Sequence, residues 1–245
     1  MPAYKYSKMF LSTLALSSLR LARLTSNEAP AIASLLHNQF PLNGQYSWAR
    51  AVGLKSSNLE NYLLGDYLPK IFQADDSYIG CYGVFNTDEK NSLVGAIINE
   101  NLNFNPENNG DINGNSDPLI EGTPQYAYTA FDAILSSSKH MFLERIRHSN
   151  IKSDEVNYVG WIATTDLYKK KGIAGQLIQE TAKQLRNKGY KYSVAFTVSP
   201  AATKVFRANG YEVWGEIEYK SFKMKQFYPF RSLPDSLSIM VQNLQ

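Results

Sequence analysis

The sequence predicts a mixed α/β domain, and three observations carry that expectation. A strand-like run from Val156 to Thr164 leads through a glycine-containing turn into an amphipathic helix. Two further strand-like segments, Ser77 to Phe85 and Ser92 to Leu102, flank a polar turn cluster at 86–91 and read as a hairpin. Helical apolar stripes recur between these strands, and a sheet needs such a second layer to bury a face.

The elements follow in order. Leu19 to Leu24 alternates as a half-buried strand does. Thr25-Ser26-Asn27-Glu28 has the spacing of a capping box, so a helix is expected to follow, with Ile32, Leu35 and Leu36 inward and an end near Phe40. Pro41 and Asn43-Gly44 break it. Ser56 to Phe72 reads as a helix with Leu59, Leu63 and Leu64 inward. Gln125 to His148 reads as another, with Phe131, Ile134, Met141, Phe142 and Ile146 as core candidates. Asn103 to Thr123 is dense in Asn, Gly, Asp and Pro without a period, so an exposed, mobile insertion is expected there. Residues 1–17 read as a leader or flexible N-terminus, and 18–245 as one domain.

Composition narrows the function. The chain has 245 residues, 44 % hydrophobic and 19 % charged, which suits a globular protein with a sizeable core. Its net charge of +3 (25 Lys and Arg against 22 Asp and Glu) is too mild to argue for nucleic acid. No apolar run nears the ~20 residues of a membrane span, so no membrane partner is expected and the reading is cytoplasmic. The acid-poor, Ser-containing N-terminus keeps a targeting segment open. The single cysteine, Cys81, and three scattered histidines give no disulfide framework and no zinc-ligand spacing, so no metal is expected. Cys81 lies mid-strand and reads as a buried, inert thiol.

The chemistry concentrates after Val156. Lys169-Lys170-Lys171-Gly172-Ile173-Ala174-Gly175 separates the strand from a helix read as Gln176 to Asn187, with Leu177, Ile178, Thr181 and Leu185 on one face and Gly189 terminating it. Amides at a helix start lack intrahelical acceptors, and the helix dipole adds positive potential there. Gly172, Ala174 and Gly175 let a diphosphate approach the backbone. Between Lys169 and Lys191 lie seven basic residues and one acid, Glu180, which favours an anion. Neither the Walker pattern nor the dinucleotide pattern is present.

Lys169-x-x-Gly172-x-Ala174 resembles the Arg/Gln-x-x-Gly-x-Gly/Ala motif of the GCN5-related N-acetyltransferase (GNAT) superfamily, with Lys at its first position. Ser199 to Tyr211 is similar to the superfamily's second motif, with Ser199 replacing Asn and Phe206 replacing Tyr. A strand, Tyr192 to Val198, separates the two. Gly172 to Gly175, Glu216 to Phe222, the apolar run Leu237 to Leu244, Ser77-Tyr78 and Leu93 to Asn99 look most like the insect-type arylalkylamine N-acetyltransferases.

The resemblance implies a central mixed, mostly antiparallel sheet splayed between two parallel strands and flanked by helices. It implies acetyl transfer from acetyl-CoA to a small-molecule amine by direct attack. Ile162, Ala163 and Thr164 would hold the pantetheine and the acetyl carbonyl, Lys169 to Gly175 the pyrophosphate, and the helix from Ser199 would flank the pantetheine arm. Two roles depart from the pattern. The subfamily's Glu after the first helix has no carboxylate counterpart in 41–46, so the base is missing, elsewhere, or replaced by water. Phe206 cannot protonate the leaving thiolate, which leaves Ser199, the preferred donor, or Tyr211. Tyr46, Trp48, Tyr126, Tyr128 and Trp161 are possible pocket aromatics. Tyr219, Phe222, Phe227, Tyr228 and Phe230 either flap over the acceptor cleft or pack. A CoA-binding module without activity and a protein N-acetyltransferase stay open as alternatives.

Overall fold

The computed structural model describes residues 18–40, 48–53, 56–73, 80–102, 121, 123–148 and 151–245. The expected leader, the segment 41–46 and most of the expected insertion lie outside them. Seven strands form one sheet: β1 (Leu19–Arg23), β2 (Tyr82–Asn86), β3 (Ser92–Asn101), β4 (Val156–Thr164), β5 (Tyr192–Thr197), β6 (Glu212–Glu218) and β7 (Ser236–Asn243). Their order is β1-β2-β3-β4-β5-β7-β6. Every neighbouring pair is antiparallel except β4 and β5. This is the mixed, mostly antiparallel sheet that the family resemblance implies.

Helices cover both faces. On one side lie α1 (Ala29–Gln39), the short α2 (Trp48–Ala51), α3 (Ser56–Tyr62), a π turn (Leu63–Tyr67), α4 (Leu68–Gln73) and the long α5 (Pro124–Ile146). On the other lie α6 (Ile173–Asn187) and α7 (Pro200–Ala208). The face is set by strand alternation. On β3, Ala96 and Ile98 pack under α1, whereas Ile97 packs under α6. The capping box forms as its spacing predicts: the Thr25 amide donates to the Glu28 carboxylate at 2.8 Å, and Asn27 N–H donates to the Thr25 hydroxyl at 3.3 Å. Ile32 and Leu36 are then fully buried and Leu35 nearly so.

Several expectations need correction. β1 is the sheet edge, and Leu21 stays 39 % exposed rather than facing a core. Leu64 is 40 % exposed because the π turn, with Leu68 N–H donating to the Leu63 carbonyl, adds one residue and rotates the helix face; Leu63 and Leu68 take the core positions. Met141 is 41 % exposed. The buried stripe of α5 runs Ala127, Ala130, Ile134, Ser138, Phe142, Ile146, which leaves Met141 on the flank against Gly215 of β6. The strand expected from Ser77 begins at Tyr82, and residues 77–79 lie outside the described residues. Thr123, placed at the end of the expected insertion, is the N-cap of α5 and accepts from Tyr126 N–H.

Candidate active site

α6 starts at Ile173, three residues earlier than its apolar pattern suggested. Gly172 is its N-cap in the left-handed region, with φ +84°, and an added Cβ would meet open space. The first intrahelical bond runs from Gln176 N–H to the Gly172 carbonyl. The amides of Gly172, Ile173, Ala174 and Gly175 therefore have no acceptor in the helix and point out of its first turn. The helix behind them is well anchored. Ile173, Leu177, Ile178, Thr181 and Leu185 are all buried, each large apolar side chain being worth about 1.5–3 kcal/mol. The Ile173 side chain sits against Gly95 in the core, so only its amide is turned outward.

The lysines of this turn are less available than their number suggests. Lys169 pairs with Asp166 at 2.5 Å, both well exposed, and Lys171 lies over the Tyr168 ring at 4.7 Å. Tyr168 is itself pinned beneath the turn, its hydroxyl accepting from Asn86 at 2.7 Å. Farther along, Lys183 faces Glu180 and Lys191 pairs with Glu155. Such exposed pairs contribute little stability, but they trim the basic excess. Lys170 takes the left-handed region, φ 63°. What the turn presents to solvent is therefore main-chain donors more than free ammonium groups.

Beside this turn the two parallel strands part. β4 and β5 pair from Val156 with Tyr192 to Val159 with Ala195 and no further. On its other side β4 stays paired to β3 as far as Thr164, with a register shift that leaves Gly160 as an extra residue between Trp161, opposite Ile98, and Val159, opposite Asn99. Beyond Val159 the edge of β4 turned toward β5 has no strand partner, so alternate amides and carbonyls of Gly160 to Thr164 line the gap. Ile162, Ala163 and Thr164 lie on this stretch. Ala163 is buried, and Ile162 and Thr164 are half-buried.

Ser199 stands at the end of β5 as the N-cap of α7. Its hydroxyl oxygen accepts from Ala202 N–H at 3.3 Å, leaving its proton available to donate. Tyr211 is different. Its hydroxyl donates to Ser193 at 2.6 Å inside a buried network with Asn157, Asn99 and Thr181, and burial pushes its ionisation up. Phe206 packs edge-on against Tyr211 at 4.9 Å and belongs to the core under α6. Of the two donors weighed in the sequence, only Ser199 has a proton not already engaged.

Where the strands part, the opposite face carries a carboxylate that the motifs did not point to. Glu100 of β3 is paired with Tyr158 of β4 and accepts from the Tyr67 hydroxyl at 2.5 Å. It covers Gly160: a Cβ there would overlap the Glu100 carboxylate and lie 2.8 Å from the Tyr67 oxygen. Burial raises the Glu100 pKa above the usual carboxylate range, while the Tyr67 hydrogen bond and Lys139 pull the other way. Aromatic rings surround the spot. Trp161 lies 6.1 Å from Tyr67, 4.7 Å from Phe40 and 6.4 Å from Phe131, and Tyr62 stacks on Tyr67 at 5.8 Å and meets Tyr128 at the same distance. Tyr67, Phe131, Tyr128 and Trp161 are each half-buried, so each keeps some exposed surface beside Glu100. One signal in the sequence could have found Glu100. It follows Ala96 and Ile98 at alternate positions, a single carboxylate on an otherwise apolar strand face.

Of the aromatics considered from sequence, Trp161 and Tyr128 fall in this ring cluster. Trp48 and Tyr126 are core residues, 6 % and 1 % exposed, and Tyr46 lies outside the described residues. Tyr219 and Phe230 are fully buried and pack with Trp48, whereas Tyr228 is exposed. Cys81 is buried, and desolvation raises its thiol pKa to about 12, so it is no nucleophile near neutral pH. Among the described residues no three His, Cys, Asp or Glu side chains converge as metal ligands, and no helix is long and apolar enough to cross a membrane.

No family model matches the chain, and no curated protein matches its sequence. Solved structures do match its fold. Arylalkylamine N-acetyltransferase 2 from Aedes aegypti superposes with a TM-score of 0.67 at 15 % identity, covering 93 % of this chain and 99 % of that one. The C-terminal condensation domain of Ebony, in complex with beta-alanyl-dopamine, gives 0.67 at 12 % identity over 92 % and 98 %. The polyamine N-acetyltransferase of Drosophila melanogaster gives 0.65 at 12 % identity over 91 % and 97 %. A seven-stranded sheet parted between β4 and β5, with a donor-rich helix start beside the gap, is thus the GNAT fold, and this chain is similar in architecture to insect N-acetyltransferases of that fold.

Proposed function

We propose that the protein is an N-acetyltransferase that carries the acetyl group of acetyl-CoA to the primary amine of a small molecule by direct attack. The observation that carries this reading is the first turn of α6. Four outward amides and a left-handed Gly172, open where a Cβ would stand, lie beside the gap between β4 and β5. The donor set fits a diphosphate: N–H groups, the positive end of a 15-residue helix and no side chain in the way. Gly172, Ile173, Ala174 and Gly175 would hold it through their amides, with Lys169, Lys170 and Lys171 adding a diffuse positive field. The unpartnered edge of β4 at Ile162, Ala163 and Thr164 would hold the pantetheine arm, and an amide there would face the acetyl oxygen as it gains charge.

Acetyl-CoA, when bound, supplies an acyl group activated as a thioester. The chain's part is to align the amine with the carbonyl, to take its proton and to return one to the departing sulfur. Ser199, whose hydroxyl proton is unengaged at the start of α7, is the donor we assign to the sulfur. Solved structures of the same fold include enzymes named for arylalkylamines and for polyamines, which supports an amine acceptor.

Calorimetric titration with acetyl-CoA, followed by thiol-release assays over arylalkylamines, polyamines and amino acids, tests the reading. Saturable binding and turnover with at least one amine are expected. Absence of heat at millimolar acetyl-CoA would sink it, and so would binding without turnover across the whole panel.

A further inference from the structure

The segment 41–46 offers no carboxylate to deprotonate an acceptor. An alkylamine has a pKa near that of lysine, about 10.4, so at neutral pH it arrives as an ammonium ion and must lose a proton to attack. A carboxylate near the reaction centre serves both needs. It attracts the cation, then takes its proton.

Glu100 meets these requirements by position. Its side chain covers Gly160, the residue at which β4 leaves β5 and the gap between them begins. It lies on the sheet face opposite α6, so an acceptor would enter from the side away from the diphosphate turn. Its orientation is held by the Tyr67 hydroxyl at 2.5 Å, and Tyr67 stands in the π turn, an irregularity that recurs at functional sites. Among the described residues no cation lies within 4 Å of Glu100 to neutralise it, although Lys139 sits nearby over the Tyr158 ring at 5.4 Å. Among the described residues this half-buried carboxylate has one hydroxyl donor, Tyr67, and no ion pair within 4 Å, a setting in which an incoming cation would be its counter-charge. Trp161, Tyr67, Phe131 and Tyr128 give that cation ring faces and its apolar stem a surface.

We propose that Glu100, held over Gly160 by Tyr67, is the carboxylate that binds the acceptor's ammonium group and takes its proton. This rests on the acetyltransferase reading above. The atoms balance as follows. The ammonium gives one proton to the Glu100 carboxylate. The nitrogen lone pair forms the C–N bond at the acetyl carbon as the C–S bond breaks, and the sulfur leaves with the bonding electrons. The nitrogen's second surplus proton passes to the sulfur through Ser199, yielding the amide and free thiol. Glu100 then releases its proton to water.

The groups facing Glu100 fix the pH behaviour: Tyr67 from the π turn, Tyr158 from β4, Lys139 from α5 and Cys81 from the segment before β2. Burial raises the Glu100 pKa, so kcat/KM should fall on the acid side at a pH above the usual carboxylate range. Tyr67 lowers that pKa through its hydrogen bond, so Tyr67→Phe should move this acid limb to higher pH. A carboxyl whose pKa is raised by folding contributes stability below its ordinary pKa and loses it as pH rises through the raised value. Glu100→Gln, neutral and still able to accept from Tyr67, should therefore melt no lower than wild type at pH 7.

The test is the pH profile of kcat/KM for wild type, Glu100→Gln and Tyr67→Phe, with a phenylalkylamine and a linear diamine as acceptors and calorimetry for acetyl-CoA. Glu100→Gln is expected to bind acetyl-CoA as wild type does and to lose about 100-fold or more in kcat/KM at pH 7. The deficit should shrink as pH approaches the amine's own pKa, where the acceptor arrives already deprotonated. A merely structural role would give a deficit constant with pH and a lower Tm. That result, or a Glu100→Gln enzyme as fast as wild type, overturns the assignment alone. A wild type that binds acetyl-CoA and acetylates no amine overturns the functional reading and this assignment with it.

Discussion

The turn at Gly172 and the carboxylate cluster around Glu100 lie on opposite faces of one sheet and are built in opposite ways. The turn is contiguous. Residues 172–175 supply four main-chain amides at the start of one helix, all within a single stretch of sequence. The carboxylate cluster is assembled from three places, with Glu100 from β3, Gly160 and Trp161 from β4, and Tyr67 from a π turn some thirty residues upstream of Glu100. Main-chain donors tolerate many side chains provided φ and space are kept. A side-chain carboxylate tolerates almost nothing, because its reach and pKa depend on each neighbour. We therefore expect the acceptor side to respond to small substitutions more steeply than the donor side.

Gly160→Ala is the sharpest probe of that difference. The new methyl group would overlap the Glu100 carboxylate, the free end of a flexible side chain, so the fold should survive while the carboxylate is driven off Tyr67. Steady-state assays should show kcat/KM down by roughly 100-fold, as for loss of a general base, with acetyl-CoA affinity unchanged. Equal losses in both would mean that the two faces are not independent.

Gly172→Val should act on the other face. A β-branched residue at φ +84° costs about 1–2 kcal/mol, and its side chain would fill the space that the diphosphate needs. Calorimetry should register acetyl-CoA binding weakened by roughly tenfold or more, since about 1.4 kcal/mol corresponds to tenfold. Lys169→Ala is the contrasting control. The ammonium already pairs with Asp166 at the surface, where such pairs are worth about 0–1 kcal/mol, so affinity should change by about threefold at most. A larger loss would shift the anion site from the backbone to the lysines. The smallest effect belongs to Cys81. A thiol with a pKa of about 12 should resist alkylation by iodoacetamide at pH 7 in the folded protein, and acetyl transfer should be untouched. Rapid labelling with loss of activity would put a nucleophile where we place none.

These contrasts mirror what could be read in advance. β4 spans Val156 to Thr164, as its apolar run indicated, and the buried face of α6 carries Leu177, Ile178, Thr181 and Leu185 as its period requires. The N-terminus of α6 was misplaced by three residues because the apolar period marks the buried face and carries no information about the first turn. The glycine at its head decides where the helix begins. Leu64 was misjudged because a π turn adds a residue that no periodicity anticipates. The basic excess after Lys169 was overstated because Asp166 and Glu155 meet lysines through folding and a turn. Glu100 carries a weak local signal, a carboxylate in alternation with Ala96 and Ile98, but nothing nearby in the sequence points to Tyr67 or Gly160 as its neighbours.

The sequence alone determined the alternation of strands and helices, the capping box at Thr25 and the donor-rich turn at Gly172, since each depends on residues within a few positions of one another. Tertiary structure decided where β4 and β5 part, which residue faces that gap and which hydroxyl holds the carboxylate there. The physical reason is range. Backbone conformation and capping are set by near neighbours along the chain. A buried charge takes its position and its pKa from groups that only strand pairing and helix packing bring within reach.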